Sequence, residues 1–78
     1  MKNIILEKSF EFALNIIEYA ELLESKRKYV IAKQVLKAGT SIGANVNEAQ
    51  SAESRLDFIH KLKIADKEAK EVNYWLRL

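Results

Sequence analysis

His60 is the only histidine in this 78-residue sequence, and the only side chain suited to general acid–base chemistry near neutral pH. Asp57 lies three residues earlier and can orient it on a helix. The sequence places no serine, threonine or cysteine nucleophile beside this pair, and a lone Asp-x-x-His falls short of a di-iron motif. We therefore interpret His60 as a surface or packing residue. We predict no catalytic residue, no metal, no cofactor and no enzymatic activity.

A row of positive charge is the second feature that can do chemistry. Its members recur every three or four residues, so a helix places them on one face about 25 Å long. They are His60, Lys63, Lys67, Lys70, Tyr74 and Arg77. Such lysines can neutralise phosphates, and Tyr74 can stack on a base. The alternative is an ordinary solvated face, because Asp66 can pair with Lys63, and Glu71 with Lys67.

Charge is spread unevenly along the chain, although its net value is only +2. Residues 4–25 contain five glutamates and one lysine, whereas residues 26–47 contain five basic residues and no acid. This basic segment adds further nucleic-acid-binding candidates, which are Lys26, Arg27, Lys28 and Lys33. The acidic and basic segments can pair within one bundle, pair between subunits, or leave the basic segment to a polyanion. Charge alone leaves the three arrangements open.

Composition indicates one small helical domain over residues 1–78. Apolar residues make up 49% and charged residues 31%, with no proline and two glycines, which is typical of a soluble, helix-rich chain. A chain of this length buries only about 60–65% of its unfolded surface, so a lone copy is marginally stable. No apolar run approaches the roughly 20 residues of a membrane span. We expect a cytoplasmic protein with no membrane partner.

Apolar spacing predicts three amphipathic helices, over about 4–25, 29–49 and 54–78. The first carries two apolar stripes, so we expect it to contact more than one neighbour. These stripes are Phe10, Ala13, Leu14, Ile17 and Ala20, and then Phe12, Ile16, Tyr19 and Leu23. The third helix repeats apolar residues from Phe58 to Leu76 with the bundle period, after a capping box at Ser54–Asp57. Three such helices leave apolar surface that a further helix or another subunit must cover.

The middle of the second helix carries the candidates for helix packing or oligomer contacts. They are Gly39, Ser41, Ile42, Gly43 and Asn45. Each glycine costs a helix about 0.8–1 kcal/mol relative to alanine, so the pair predicts close approach of another backbone. A break at Gly39 is the alternative. Asn45 shares a seam with Ile42, where a polar residue either fixes register and oligomeric state or lines a polar pocket.

Several segments resemble the family of 23S rRNA-intervening-sequence proteins, which are four-helix bundles. The resemblance rests on GTSIGANVNEA at 39–49, DFIHKL at 57–62, YWL at 74–76 and SFEFA at 9–13. It implies an all-α, up-and-down antiparallel bundle that assembles into a ring, typically a homopentamer. It also implies RNA or DNA as a partner, and a relation to the accessory protein that partners a reverse transcriptase in diversity-generating retroelements. Members of the family continue into a fourth helix, which we expect this chain to lack.

Residues and resemblance together favour a bacterial, non-enzymatic accessory protein. In this interpretation a homo-oligomer binds RNA or DNA through its basic residues, with little sequence preference. The alternative is a structural or protein-interaction module without a nucleic-acid role. In that case the glycine face docks other helices, and the charge serves solubility.

Overall fold

The computed structural model describes residues 3–78, and the regular structure in that range is helical. Helix α1 spans Ile4–Ser25, α2 spans Tyr29–Ala49 and α3 spans Arg55–Arg77. Gly39 lies against Ile16 and Gly43 against Ser9, so α1 and α2 run in opposite directions. Helices α1 and α3 each pack on α2 but not on each other. The predicted all-α class with three antiparallel helices is confirmed, with α2 as the central helix.

Two of the helices begin at a side-chain cap. The Asn3 side chain accepts a hydrogen bond from the Leu6 backbone N–H at 3.1 Å, which starts α1. The Ser54 hydroxyl accepts one from the Asp57 backbone N–H at 3.0 Å, which is the Ser54 half of the expected capping box. Helix α2 has no side-chain cap, and the geometry of the preceding turn sets its start.

The turn between α1 and α2 reverses the chain within three residues. The Lys28 N–H donates to the Leu23 carbonyl and the Arg27 N–H donates to the Glu24 carbonyl, each at 2.9 Å. This pair of bonds is the Schellman arrangement, in which the first of the two donor residues along the chain adopts the left-handed conformation and is usually glycine. Arg27 occupies the position with a φ of 60°. The turn therefore carries backbone strain at a basic, exposed residue.

The core is a narrow strip of small and branched side chains along α2. Ile16, Ala20 and Leu23 of α1 contribute to it, together with Val72 of α3. The α2 contribution is Ala32, Val35 and Ala38. Alanines in this strip allow the helix axes to approach closely, while Phe12, Leu36 and Trp75 pack around its edges. Ile16 and Leu23 of the second α1 stripe therefore face α2, together with Ala20 of the first stripe, whereas Tyr19 of the second stripe is exposed.

Helix α2 is continuous through Gly39. A glycine is needed at this position because Ile16 of α1 occupies the space that a side chain would take. A Cβ atom on Gly39 would lie 2.6 Å from Cγ2 and 2.8 Å from Cγ1 of the buried Ile16. A Cβ atom on Gly43 would lie 3.3 Å from the Ser9 carbonyl oxygen. The two glycines thus lie on the α1 side of α2, and another backbone comes close at Gly43.

Two apolar surfaces of the described chain stay uncovered. Most of the first stripe of α1 faces solvent, with Phe10 64% and Leu14 50% exposed, although Ala20 at its end is buried. A groove between α1 and α3, here called the α1–α3 groove, is lined by apolar residues from all three helices. They are Ile5, Phe12, Ile42, Val46, Leu62, Ala65 and Ala69. The expectation that α1 contacts more than one neighbour is not met within a single chain, because α1 packs on α2 alone.

Replacing Arg27 by glycine should stabilise the protein, because glycine adopts the left-handed conformation without steric cost. We expect the free energy of unfolding to rise by about 0.5–1 kcal/mol. Urea denaturation at a fixed chain concentration measures the change. Arg27→Ala is the matched control, because it removes the same charge but retains a Cβ atom. Equal stability of the two variants would show that the turn is unstrained.

Replacing Gly39 by alanine should destabilise the protein, because the new Cβ atom has to displace Ile16. Overpacking costs about 1–3 kcal/mol, and the better helix propensity of alanine offsets about 0.8–1 kcal/mol of it. The exposed α2 residue Asn47 supplies the control, since Asn47→Ala gains propensity without a new contact and should stabilise slightly. Thermal unfolding of both variants gives the comparison. A Gly39→Ala protein more stable than the parent would contradict the tight packing.

Candidate nucleic-acid interface

The structure brings the six residues of the predicted row onto one exposed face of α3, here called the α3 ridge. Buried Ala65 and Val72 lie on the opposite side of the helix, against α2. The ridge consists of His60, Lys63, Lys67, Lys70, Tyr74 and Arg77, all of them exposed. Its charges therefore remain in water, where they are available to a polyanion.

Ion pairing on the ridge differs from the expected pattern. Asp66 pairs with Lys70 at 3.0 Å, whereas the expected pairs Lys63–Asp66 and Lys67–Glu71 do not form in the described structure. An acid four residues before a base is the favourable orientation on a helix, and both expected pairs place the base first. The pair with Lys70 is exposed and therefore weak. Lys63 and Lys67 have no acidic partner within 4.0 Å among residues 3–78.

A shallow groove of about 610 Å³ runs along the ridge and reaches α2. Lys63, Lys67, Lys70 and Tyr74 line it, and sequence analysis had grouped these four. Gln34 of α2 and Trp75 also line it, although sequence analysis did not assign them to the site. Trp75 could have been predicted to line the groove because it is next to Tyr74 in the sequence. Gln34 could not, because only the packing of α2 on α3 brings it to the groove. Asp66 and Glu71 on the groove wall limit its positive charge.

The two neighbouring aromatic residues of the groove have different roles. Trp75 is half-buried and packs against the core, whereas Tyr74 is 59% exposed. Their ring centroids lie 5.2 Å apart, and the ring planes are inclined by 76°, an edge-to-face arrangement. Trp75 therefore anchors the end of α3 and holds Tyr74 outward, where its ring is open to stacking.

The remaining basic candidates lie outside this groove. Lys26, Arg27 and Lys28 are exposed at the α1–α2 turn. Because α2 and α3 are antiparallel, this turn lies at the end of the molecule where α3 finishes, near Arg77. Lys33 is exposed on α2 and is not among the residues that line the groove. The basic residues of the turn and Lys33 are thus exposed but do not line the groove along the α3 ridge.

The packing candidates of α2 make their contacts within the chain. Gly39 is buried and Gly43 half-buried against α1, and Ile42 packs against the core. The Ser41 hydroxyl donates to the Lys37 carbonyl at 2.7 Å, and the Asn45 amide donates to the Ser41 carbonyl at 2.9 Å. Asn45 therefore satisfies its amide within its own helix rather than across a helix interface. It is half-buried, at a position open to a second contact.

Metal-binding clusters and membrane-spanning helices are both absent from the described part of the chain. Residues 3–78 hold no group of three or more histidine, cysteine, aspartate or glutamate side chains that could bind a metal ion. None of the three helices combines the length and the apolar character needed to cross a bilayer. His60 is exposed on the ridge, and no hydrogen bond joins it to Asp57 within this range.

The fold and this exposed face define an all-α helical protein with a lysine-lined surface on its third helix. The chain belongs to the 23S rRNA-intervening sequence protein family, whose sequence profile matches residues 1–78. A similar solved structure is the crystal structure of a Bacteroides thetaiotaomicron protein of unknown function from the S23 ribosomal protein family. It is 51% identical with a TM-score of 0.90, and the match covers 94% of this chain and 68% of that chain. No curated protein matches the sequence.

Proposed function

We propose that this protein is a non-enzymatic accessory protein whose homo-oligomer binds RNA or DNA through the α3 ridge. The single observation that carries the proposal is the pair of lysines without acidic partners, Lys63 and Lys67, in the groove beside exposed Tyr74. Lysines of this kind bind phosphates by releasing condensed counterions, and a tyrosine ring adds stacking without sequence preference.

Repetition of the ridge in an oligomer strengthens the proposal. One chain carries a net charge of only +2, and Asp66 and Glu71 lie within the groove. Copies arranged around a ring multiply the number of phosphates bound at once, so that weak single contacts add to a useful affinity. The uncovered apolar surface of α1 supports self-association, because monomeric proteins seldom expose large apolar side chains in a contiguous row. We propose a ring, with the homopentamer of the family resemblance as the expected form.

The α1–α3 groove supports the four-helix bundle that the family resemblance implies. Helices α1 and α3 flank α2 without touching each other, which leaves the fourth corner of an up-and-down bundle open. A helix laid along this corner would cover Phe12, Ile42 and Leu62. We therefore propose a four-helix bundle as the complete packing unit.

A protein-interaction module is the second candidate function, and the exposed row Phe10, Leu14 and Ile17 favours it. In this case the apolar row docks a protein partner, such as the reverse transcriptase of a retroelement, and the ridge has no ligand. Salt dependence separates the two candidates, because phosphate binding weakens steeply with salt whereas apolar docking does not.

Neutralising Lys67 should weaken RNA binding more than neutralising a lysine elsewhere. Lys67→Gln removes a phosphate contact, so the slope of log affinity against log salt should become shallower by about 0.7–0.9 per chain bound. The measurement is fluorescence anisotropy with a labelled RNA hairpin, over salt concentrations from about 50 to about 200 mM. Lys8→Gln is the matched control, because exposed Lys8 of α1 carries the same charge away from the ridge. Equal slopes for the two variants would remove the ridge from the interface.

Removing the carboxylate that engages Lys70 should strengthen RNA binding. Asp66→Asn frees the Lys70 ammonium and removes a negative charge from the groove wall. The lost pair is exposed, so the free energy of unfolding should fall by no more than about 0.5 kcal/mol. Glu53→Gln in the exposed loop between α2 and α3 gives the same charge change without touching the ridge. An affinity gain confined to Asp66→Asn supports the site, and equal gains for both variants would indicate a net-charge effect only.

A further inference from the structure

The outward row of α1 combines apolar and acidic residues in a single line, here called the α1 ridge. Its members, Glu7, Phe10, Leu14, Ile17 and Glu21, follow one another at spacings of three and four. All five are exposed, and Glu18 borders the row beside Leu14. The α1 ridge is therefore an apolar centre with acid at both ends, on the side of α1 that α2 leaves uncovered.

The outward row of α2, here called the α2 ridge, carries the opposite charge. Val30, Lys33, Lys37 and Ala44 lie along it, and Val30 is 75% exposed. No acidic residue occurs between positions 26 and 47. The α2 ridge thus presents an apolar residue, two lysines and a small side chain in sequence, without any local carboxylate to neutralise the lysines.

The two ridges stay unpaired within one chain. Glu11 of α1 pairs with Lys8 of the same helix at 3.8 Å. Among residues 3–78, no α1 glutamate forms an ion pair with a basic residue of the segment 26–47. Of the three arrangements open to the acidic and basic segments, pairing within one chain is therefore not the one the structure adopts.

An apolar groove joins the α1 ridge to the α2 ridge. Leu6, Phe10 and Ala13 line it from α1, and Thr40, Gly43 and Ala44 line it from α2. The groove meets the α1 ridge at Glu7 and Phe10 and the α2 ridge at Ala44, and the lysines of the α2 ridge lie beyond its lining. An apolar centre with charged edges is the usual composition of a protein interface.

We infer that this surface binds a second copy of the chain, with the α1 ridge of one copy against the α2 ridge of the next. The inference rests on the self-association part of the proposed function and names the surfaces that perform it. Each copy provides both of the complementary surfaces. The α1 side offers apolar Phe10 and Leu14 beside acidic Glu18 and Glu21. The α2 side offers apolar Val30 beside basic Lys33 and Lys37. A contact between two unlike surfaces can repeat head to tail, and such a contact generates a ring when its rotation closes. Lys33 and Lys37 then serve assembly, and the α3 ridge stays free for phosphates.

Reciprocal charge reversal tests the pairing without nucleic acid. One variant carries Glu18→Lys and Glu21→Lys, a second carries Lys33→Glu and Lys37→Glu, and a third carries all four changes. Analytical ultracentrifugation at low salt gives the mass of each variant, of the parent and of an equimolar mixture of the first two. Circular dichroism verifies that every variant is helical, and Lys67→Gln is the control for charge change outside the proposed contact.

The parent and Lys67→Gln should sediment as the same oligomer. Each two-residue variant should lose self-association by at least about tenfold, because like charges then face each other across the contact. The four-residue variant should recover the parent oligomer, since opposite charges face each other again at every contact. The equimolar mixture should recover association between unlike variants, and a ring with an odd number of copies keeps one like-charged contact. The inference is overturned if the parent is a single chain at all concentrations, if the helical two-residue variants associate like the parent, or if neither the mixture nor the four-residue variant recovers. Loss of RNA binding by Lys67→Gln with an intact oligomer tests the proposed function separately.

Discussion

The packing of Ile16 against Gly39 is the contact on which the remaining structure depends. A branched side chain on α1 occupies the volume that any residue larger than glycine would fill on α2, and Gly43 extends the close approach along the helix. This contact fixes both the separation and the register of the two helices. It also decides which side of α1 is buried, and therefore which apolar row remains on the surface. The acidic and basic outward rows take their relative positions from the same contact.

Helical periodicity and capping chemistry were sufficient to predict the three helices and their antiparallel order. The absence of proline left the periodic signal unbroken, and Ser54 marked the start of α3 through the hydrogen bond that it makes there. Gly39 was ambiguous, because propensity alone permits either a kink or a close contact. The neighbour that resolves the ambiguity, Ile16, lies 23 positions away along the sequence and meets Gly39 only after the chain reverses.

The candidate site was predictable as a surface but not in its electrostatic detail. Spacing placed the lysines of α3 on one face, which the fold leaves exposed. Spacing did not reveal that Asp66 engages Lys70 and leaves Lys63 and Lys67 without acidic partners, since that choice depends on side-chain orientation along the helix. Gln34 joins the groove through packing of α2 on α3, which no local pattern encodes. Both α1 rows are similarly apolar, so hydrophobicity alone could not select the buried one.

The central position of α2 also has a consequence for how the chain acquires its structure. Each helix-to-helix contact in the described structure joins elements adjacent along the sequence, since α1 and α3 do not meet. Loops that close over short stretches of chain cost little entropy, and helical proteins built from such local contacts fold within microseconds to milliseconds. Because α1 and α2 precede α3 along the chain, the α1–α2 hairpin can form before α3 is synthesised, and the hydrogen bonds that close its turn are local. It can serve as the template on which α3 condenses as it leaves the ribosome.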